Sequence, residues 1–139
     1  VDAAQLTYIS ERSEKPMAHV PPTLKQGSKG DAVKGLQNAL KARGYEFGAV
    51  DGVFGSATTE AVKQFQREFG LEEDGIAGPD TWQALNVYVV QSGDTLSDIA
   101  QQQLGRADSW PDIFELNRAL ISDPDKIVPG QVLALPLGD

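Results

Sequence analysis

The sequence predicts an α+β chain: a small three-helix bundle followed by a β-α-α-β module. Three observations carry this. Apolar residues recur at steps of three and four in three stretches between residues 23 and 86. The frame D-G-x-x-G-x-x-T is written twice, beginning at Asp51 and at Asp74, each time just before one of those stretches. At "VYVV", residues 87–90, the period changes and the composition becomes β-branched and aromatic, as a strand prefers.

In order along the chain, residues 1–22 mix charges, small residues and prolines without a clean period, and read as a solvated tail or linker closed by Pro21-Pro22. Tyr8 and Ile9 are its only candidates for docking on a neighbouring surface. The start has no basic stretch followed by an apolar run, so it does not read as an intact secretion signal. The missing initiating Met points to a processed or excised chain.

The second segment, 23–86, opens with Val33, Leu36 and Leu40 in helical phase, with Gly44 as the stop. Val62, Phe65 and Phe69 repeat the phase before Gly70, and all six of these side chains are expected in the core. Gly78-Pro79 opens a short third helix through Thr81, Trp82 and Leu85. Proline suits a first turn because its fixed φ is helical and its missing N–H is not needed there. Trp82 is expected to be core.

The third segment, 87–139, pairs a strand at 87–90 with a second at "VLALP", 132–136. Between them, Leu96, Ile99 and Ala100 form one helical face, entered through Thr95 and Asp98 in a capping-box-like arrangement. Ile113, Phe114 and Leu116 form the inward face of another helix. Trp110, just before Pro111, is expected to cover the core rather than meet a ligand, since large aromatics are mostly buried. Tyr45 and Tyr88 are undecided.

In each repeated frame the first glycine permits a turn, the aspartate accepts hydrogen bonds from turn amides, and the second glycine stands where a helix begins. That is an architectural role. A calcium loop needs a dense set of oxygen ligands, whereas each frame offers one carboxylate amid apolar residues.

The formal charge of −8 over 139 residues is spread as −1, −2 and −5 over the three segments, so none is basic. Binding to a phosphate backbone or an anionic membrane surface needs clustered Lys and Arg, so neither nucleic acid nor a membrane is an expected partner. No apolar run approaches a membrane span. The absence of cysteine removes disulfides and thiolate chemistry. The single histidine, His19, lies in the tail, so neither a zinc peptidase site nor a Ser-His-Asp arrangement assembles. Glu60, Glu68, Glu72 and Glu73 read as solvated faces and turns. No catalysis, cofactor or metal is expected, and the chain is expected to be a monomer.

The stretches "LKQGSKGDAVKGLQNALKARGY", "DGVFGSATTEAVKQFQREFGL" and "DGIAGPDTW" resemble the peptidoglycan-binding domain of the PG_binding_1 type. That resemblance implies a three-helix domain whose D-G-x-x-G loops introduce the second and third helices. Such domains usually accompany cell-wall hydrolases. Residues 87–136 resemble a LysM domain, through "VYVVQSGDTLSDIA", Asn117 and "DPDKIVPGQVLALP". That resemblance implies binding of N-acetylglucosamine-containing glycans. Its groove would fall on Gly93, Asp94, Thr95 and Leu96 on one wall, and on Ile121, Ser122, Asp123, Pro124 and Ile127 on the other.

The expected role is therefore a non-catalytic peptidoglycan-binding protein or targeting module of the bacterial cell envelope, periplasmic or extracellular, or the targeting fragment of a larger hydrolase. The segment between the two helices of this part resembles the longer bacterial variety of the LysM domain. Some proteins with that variety are linked to ion binding or stress responses, which gives the alternative of an ion-binding scaffold. The join "ALNVYVV" has no flexible spacer, so the two modules are expected to be packed or tightly tethered.

Overall fold

The computed structural model describes residues 21–136. The expected tail and its Tyr8, Ile9 and His19 lie outside the described residues, apart from Pro21 and Pro22. Helix α1 spans Asp31–Ala42, α2 Ser56–Glu68 and α3 Pro79–Leu85. Then follow strand β1 (Val87–Val89), helix α4 (Leu96–Leu104), a 3-10 turn (Ala107–Ser109), helix α5 (Trp110–Leu116) and strand β2 (Val132–Ala134). The chain is thus α+β, a helical half followed by a β-α-α-β half.

The two frames are held by one device used twice. Gln37, on α1, is buried and reaches across to the first frame. Its Nε2 donates to Asp51 Oδ1 (3.1 Å), the Val53 carbonyl (3.0 Å) and Thr58 Oγ1 (3.1 Å). Its Oε1 accepts from the N–H groups of Asp51 (3.0 Å) and Gly52 (2.9 Å). Gln66, on α2, does the same for the second frame. It donates to Asp74 Oδ1, the Ile76 carbonyl and Thr81 Oγ1, and accepts from the Gly75 N–H.

Each aspartate also accepts from the amide two residues on, Val53 or Ile76. The first glycines, Gly52 and Gly75, have φ of 79° and 73°, a region that residues with a Cβ rarely adopt. The second glycines, Gly55 and Gly78, are the N-caps of α2 and α3. The segment before α1 ties both frames together, with antiparallel bridges from Leu24 to Ala77 and from Lys29 to Val53.

The strands pair antiparallel, with Val87 opposite Ala134, Tyr88 opposite Leu133 and Val89 opposite Val132. Successive side chains of a strand point to opposite faces, and here each face meets a different core. Val87, Val132 and Ala134 pack with Val33, Leu36, Leu40, Val62, Phe65 and Trp82. Tyr88, Leu133 and Leu135 pack with Leu96, Ile99, Ala100 and Ile113. The sheet is a shared wall between the halves.

Helix α1 lies against this wall, which explains its burial. Its spacing predicts one apolar stripe, yet the six consecutive residues 35–40 are all buried. Gly35 sits so close to β2 that a Cβ there would come within 2.7 Å of Val132 Cβ. Asn38 donates to the Leu116 carbonyl (3.0 Å) and to Asn117 Oδ1 (2.8 Å). Asn117, fully buried, also donates to the carbonyls of Ile113 and Ala134 and accepts from the Ala134 N–H. The Arg43 guanidinium adds bonds to the carbonyls of Leu85 and Leu135. The absence of a spacer thus corresponds to a packed junction.

Two aromatics depart from expectation. Phe69 is not core: it is 52% exposed. It follows the last residue of α2 as its C-cap, and Gly70 at φ 71° turns the chain away, so the ring reaches only the outside of Phe65. Trp110 is not a core cover either; it is 36% exposed. Phe114 and Leu116 are half-buried, and Ile113 alone of the three is fully inside.

Candidate functional site

A groove of about 260 Å³ opens on the β-α-α-β half. One wall is the loop after β1 and the first turn of α4, with Asp94, Thr95, Leu96 and Ser97. The other is the loop before β2, with Pro124, Asp125 and Ile127. Trp110, the first residue of α5, faces into it.

The first wall is built rigidly. Asp94 Oδ2 accepts from the Tyr88 hydroxyl (2.7 Å) and from the Gln91 N–H (2.8 Å), so its carboxylate ties the loop back to β1. Burial, and next the Asp94 carboxylate, push the Tyr88 phenol well above its ordinary range, so it stays a donor at any physiological pH. Thr95 caps α4 by accepting from the Asp98 N–H (3.1 Å), as its sequence position predicts. On the second wall Asp123 Oδ1 accepts from the Asp125 N–H (2.9 Å), and the Asp123 carbonyl from the Lys126 N–H, which folds the loop into a turn.

Of the nine residues expected on the groove, the structure brings Asp94, Thr95, Leu96, Pro124 and Ile127 together around it. Gly93 and Ser122 are exposed and Asp123 half-buried, beside the lining rather than in it. Ile121 is 2% exposed and packs into the core of this half. Sequence reasoning missed Ser97, Asp125 and, above all, Trp110. The helical phase that turns Ile113 and Asn117 inward also carries Trp110. However, as the first residue of α5 it stands at the edge of the core, where a side chain that large overlaps the opening. The short 3-10 turn just ahead of it is the local feature that sets this, and no strong sequence signal marks that turn.

The lining suits a polar ligand that carries an apolar face and no negative charge: one open indole, the aliphatic Leu96, Pro124 and Ile127, two hydroxyls and two carboxylates. Among the described residues no group of three or more His, Cys, Asp or Glu side chains is placed to hold a metal ion, and no helix is long and apolar enough to cross a membrane.

Comparison with known proteins matches residues 29–85 to the peptidoglycan binding domain model (PG_binding_1) and residues 88–136 to the LysM domain model. Among curated relatives, the chain is 51% identical over 53 residues to the potassium binding protein Kbp of Escherichia coli O6:H1, an alignment covering 38% of this chain and 36% of that one. It is 41% identical over 92 residues to a zinc D-Ala-D-Ala carboxypeptidase of Streptomyces albus G, covering 63% and 34%. With a spore cortex-lytic enzyme of Bacillus cereus it shares 47% over 62 residues, covering 45% and 24%. The matched region therefore spans about a quarter to a third of the length of these relatives.

Proposed function

Since residues 29–85 belong to the peptidoglycan binding domain family and residues 88–136 to the LysM family, we propose that the chain is a non-catalytic module that holds a protein on bacterial peptidoglycan in the cell envelope. The groove takes an N-acetylglucosamine unit of the glycan strand. The observation that carries this is Trp110, an indole open to solvent between the Asp94–Ser97 and Pro124–Ile127 walls. Its ring offers a stacking face to the apolar side of the sugar, while Thr95, Ser97 and the loop backbone offer hydrogen bonds to the hydroxyls and the N-acetyl group. The acidic balance of this half argues that sugar hydrogen bonding, not attraction to stem-peptide carboxylates, supplies the affinity. The relatives that carry enzyme names, a carboxypeptidase and a spore cortex-lytic enzyme, support a targeting role beside a catalytic region.

The test is co-sedimentation with insoluble peptidoglycan at physiological salt, alongside chitin and cellulose. The wild-type chain is expected to be retained on peptidoglycan and chitin but not on cellulose, and Trp110→Ala to lower retention roughly 2- to 10-fold, the scale of one lost aromatic contact of about 0.5–1.5 kcal/mol. Trp110 is the informative position because Asp94, bound to Tyr88 and Gln91, would disturb the loop when replaced. Unchanged retention in Trp110→Ala would remove the groove from the account.

One observation favours a second reading: the Escherichia coli relative is named for potassium binding. An ion-binding scaffold would show a melting temperature raised by K⁺ and unmoved by glycan, because a ligand stabilises only the state that binds it.

A further inference from the structure

We propose that Asp51-Gly52 and Asp74-Gly75 are latent sites of isoaspartate formation, and that Gln37 and Gln66 keep them unreacted for as long as the helical half stays folded. Asp-Gly occurs at these two places and nowhere else in the sequence. It is the pairing most prone to this reaction, because glycine has no side chain to shield its amide nitrogen. That nitrogen attacks Cγ of the aspartate: the N–Cγ bond forms, and the hydroxyl of the carboxyl group leaves with the amide proton as water. The cyclic imide then takes water back at either carbonyl. Opening at one returns aspartate, while opening at the other routes the main chain through Cβ and Cγ as isoaspartate.

Each frame blocks the attacking atom in the same way. The Gly52 N–H donates to Gln37 Oε1 and the Gly75 N–H to Gln66 Oε1, both at 2.9 Å. Both glycines are buried, although the aspartates before them are exposed. A lysine stem covers each. A Cβ on Gly52 would stand 3.2 Å from Lys34 Cγ and 3.3 Å from its Cε, and one on Gly75 3.2 Å from Lys63 Cε and 3.5 Å from its Cγ. Lys34 and Lys63 each precede their glutamine by three residues, so α1 and α2 each present cover and acceptor from one face. Attack needs the amide proton removed, and here that proton is held in a buried bond away from any base in solvent.

The electrophile is held as well. Asp51 Oδ1 accepts from the Val53 N–H (3.0 Å) and Gln37 Nε2 (3.1 Å), and Asp74 Oδ1 from the Ile76 N–H (3.0 Å) and Gln66 Nε2 (3.0 Å). These bonds commit each carboxyl to the amide two residues on, not to the glycine nitrogen. The Val53 N–H first, then Gln37, hold the Asp51 carboxyl below the usual aspartate range, and an ionised carboxyl has no hydroxyl to release. Reaction therefore requires the frame to open. Isoaspartate adds a methylene to the main chain inside a turn whose glycine stands at φ 79° or 73°, so the bonds to the glutamine cannot be remade in register. Opening then becomes permanent loss of the entrance to α2 or α3, and the lifetime of the chain is set by a rate. None of this rests on the wall-binding reading above.

The experiment incubates the full chain at neutral pH and follows isoaspartate at each site by peptide mapping with mass-spectrometric fragmentation, beside wild type held unfolded in guanidinium chloride. Native wild type is expected to isomerise at least about 10-fold more slowly than the unfolded chain at both sites. Gln37→Ala should raise the native rate roughly 10-fold or more at Asp51 and by less at Asp74, and Gln66→Ala the reverse. Far-UV dichroism shows whether each variant is folded, and the frame left intact is its internal control. If a variant does not fold, the wild type decides: across subdenaturing guanidinium the rate at each site should follow hydrogen exchange of the Gly52 or Gly75 amide. Equal rates in native and unfolded wild type would overturn the proposal. So would a folded Gln37→Ala that speeds Asp51 no more than Asp74, or isomerisation that proceeds while the glycine amides stay protected.

Discussion

At the scale of single residues, the two buried glutamines explain why the D-G frame is repeated. Gln37 makes five hydrogen bonds and Gln66 four, all to groups of the frame that follows. A buried amide that satisfies several loop groups is costly to remove, because each partner left without a bond loses about 1 kcal/mol or more. Gln37→Ala and Gln66→Ala are each expected to lower stability by about 3 kcal/mol or more in urea unfolding; a loss under about 1 kcal/mol would mean the loops are held by something else.

The tyrosines set an alkaline limit. Burial, then the bond to Glu68, push the Tyr45 phenol from 10.0 up to about 12, and Tyr88 is raised in the same sense. Below pH 10 both folded and unfolded chains keep these protons and the stabilisation is complete. Above it the unfolded chain ionises first and binds fewer protons, so stability falls as pH rises toward about 12. In urea midpoints followed over that window, Tyr45→Phe is expected to show a shallower decline than wild type.

At the scale of elements, α1 and the β1–β2 sheet carry the junction. Helix propensity alone predicts that Gly35→Ala would stabilise α1 by about 1 kcal/mol. The contact predicts the opposite, since the new Cβ would stand 2.7 Å from Val132 Cβ and 2.9 Å from its carbonyl oxygen. Overpacking at such a seam costs about 1–3 kcal/mol. We expect a net loss, measured by chemical denaturation, that Val132→Ala does not relieve, because alanine keeps both close atoms, the Cβ and the carbonyl oxygen. A stabilised single variant would show that α1 and β2 are free to move apart.

At the scale of the molecule, the shared sheet is packed from both sides, one face into each core, and this predicts that the halves unfold together. Val87, Val132 and Ala134 would lose their core if the helical half were removed, and Asn117 would lose the donor Asn38. The two tryptophans report the coupling, because Trp82 lies in the helical core and Trp110 on the groove. In Trp110→Phe protein, fluorescence of Trp82 is expected to unfold at the same midpoint as the far-UV dichroism of the whole chain. Ile99→Ala, deep in the other core, should shift that Trp82 midpoint by the 2–5 kcal/mol typical of such a cavity. Independent halves would leave the Trp82 transition where it was.

The sequence by itself determined the elements and their order, because periodicity, caps and turn glycines are local properties. Val33, Leu36 and Leu40 mark α1, Thr95 caps α4, and the glycines of both frames stand where the backbone needs them. Of the nine residues that the LysM resemblance implied for a groove, five line the one in the structure, and they came from the family motif rather than from local physics. The tertiary structure alone decided which surfaces meet. A hydrophobic period reports one buried face, so it misses a helix buried between two cores, where Gln37 and Asn38 are satisfied by partners up to 79 residues away. It also misses where a core ends: Trp110 and Phe69 share the phase of buried neighbours yet stand at helix ends, past the last layer of packing, and Ile121 leaves its loop for the interior. Burial depends on what lies opposite a side chain in space, and these partners come from distant parts of the chain.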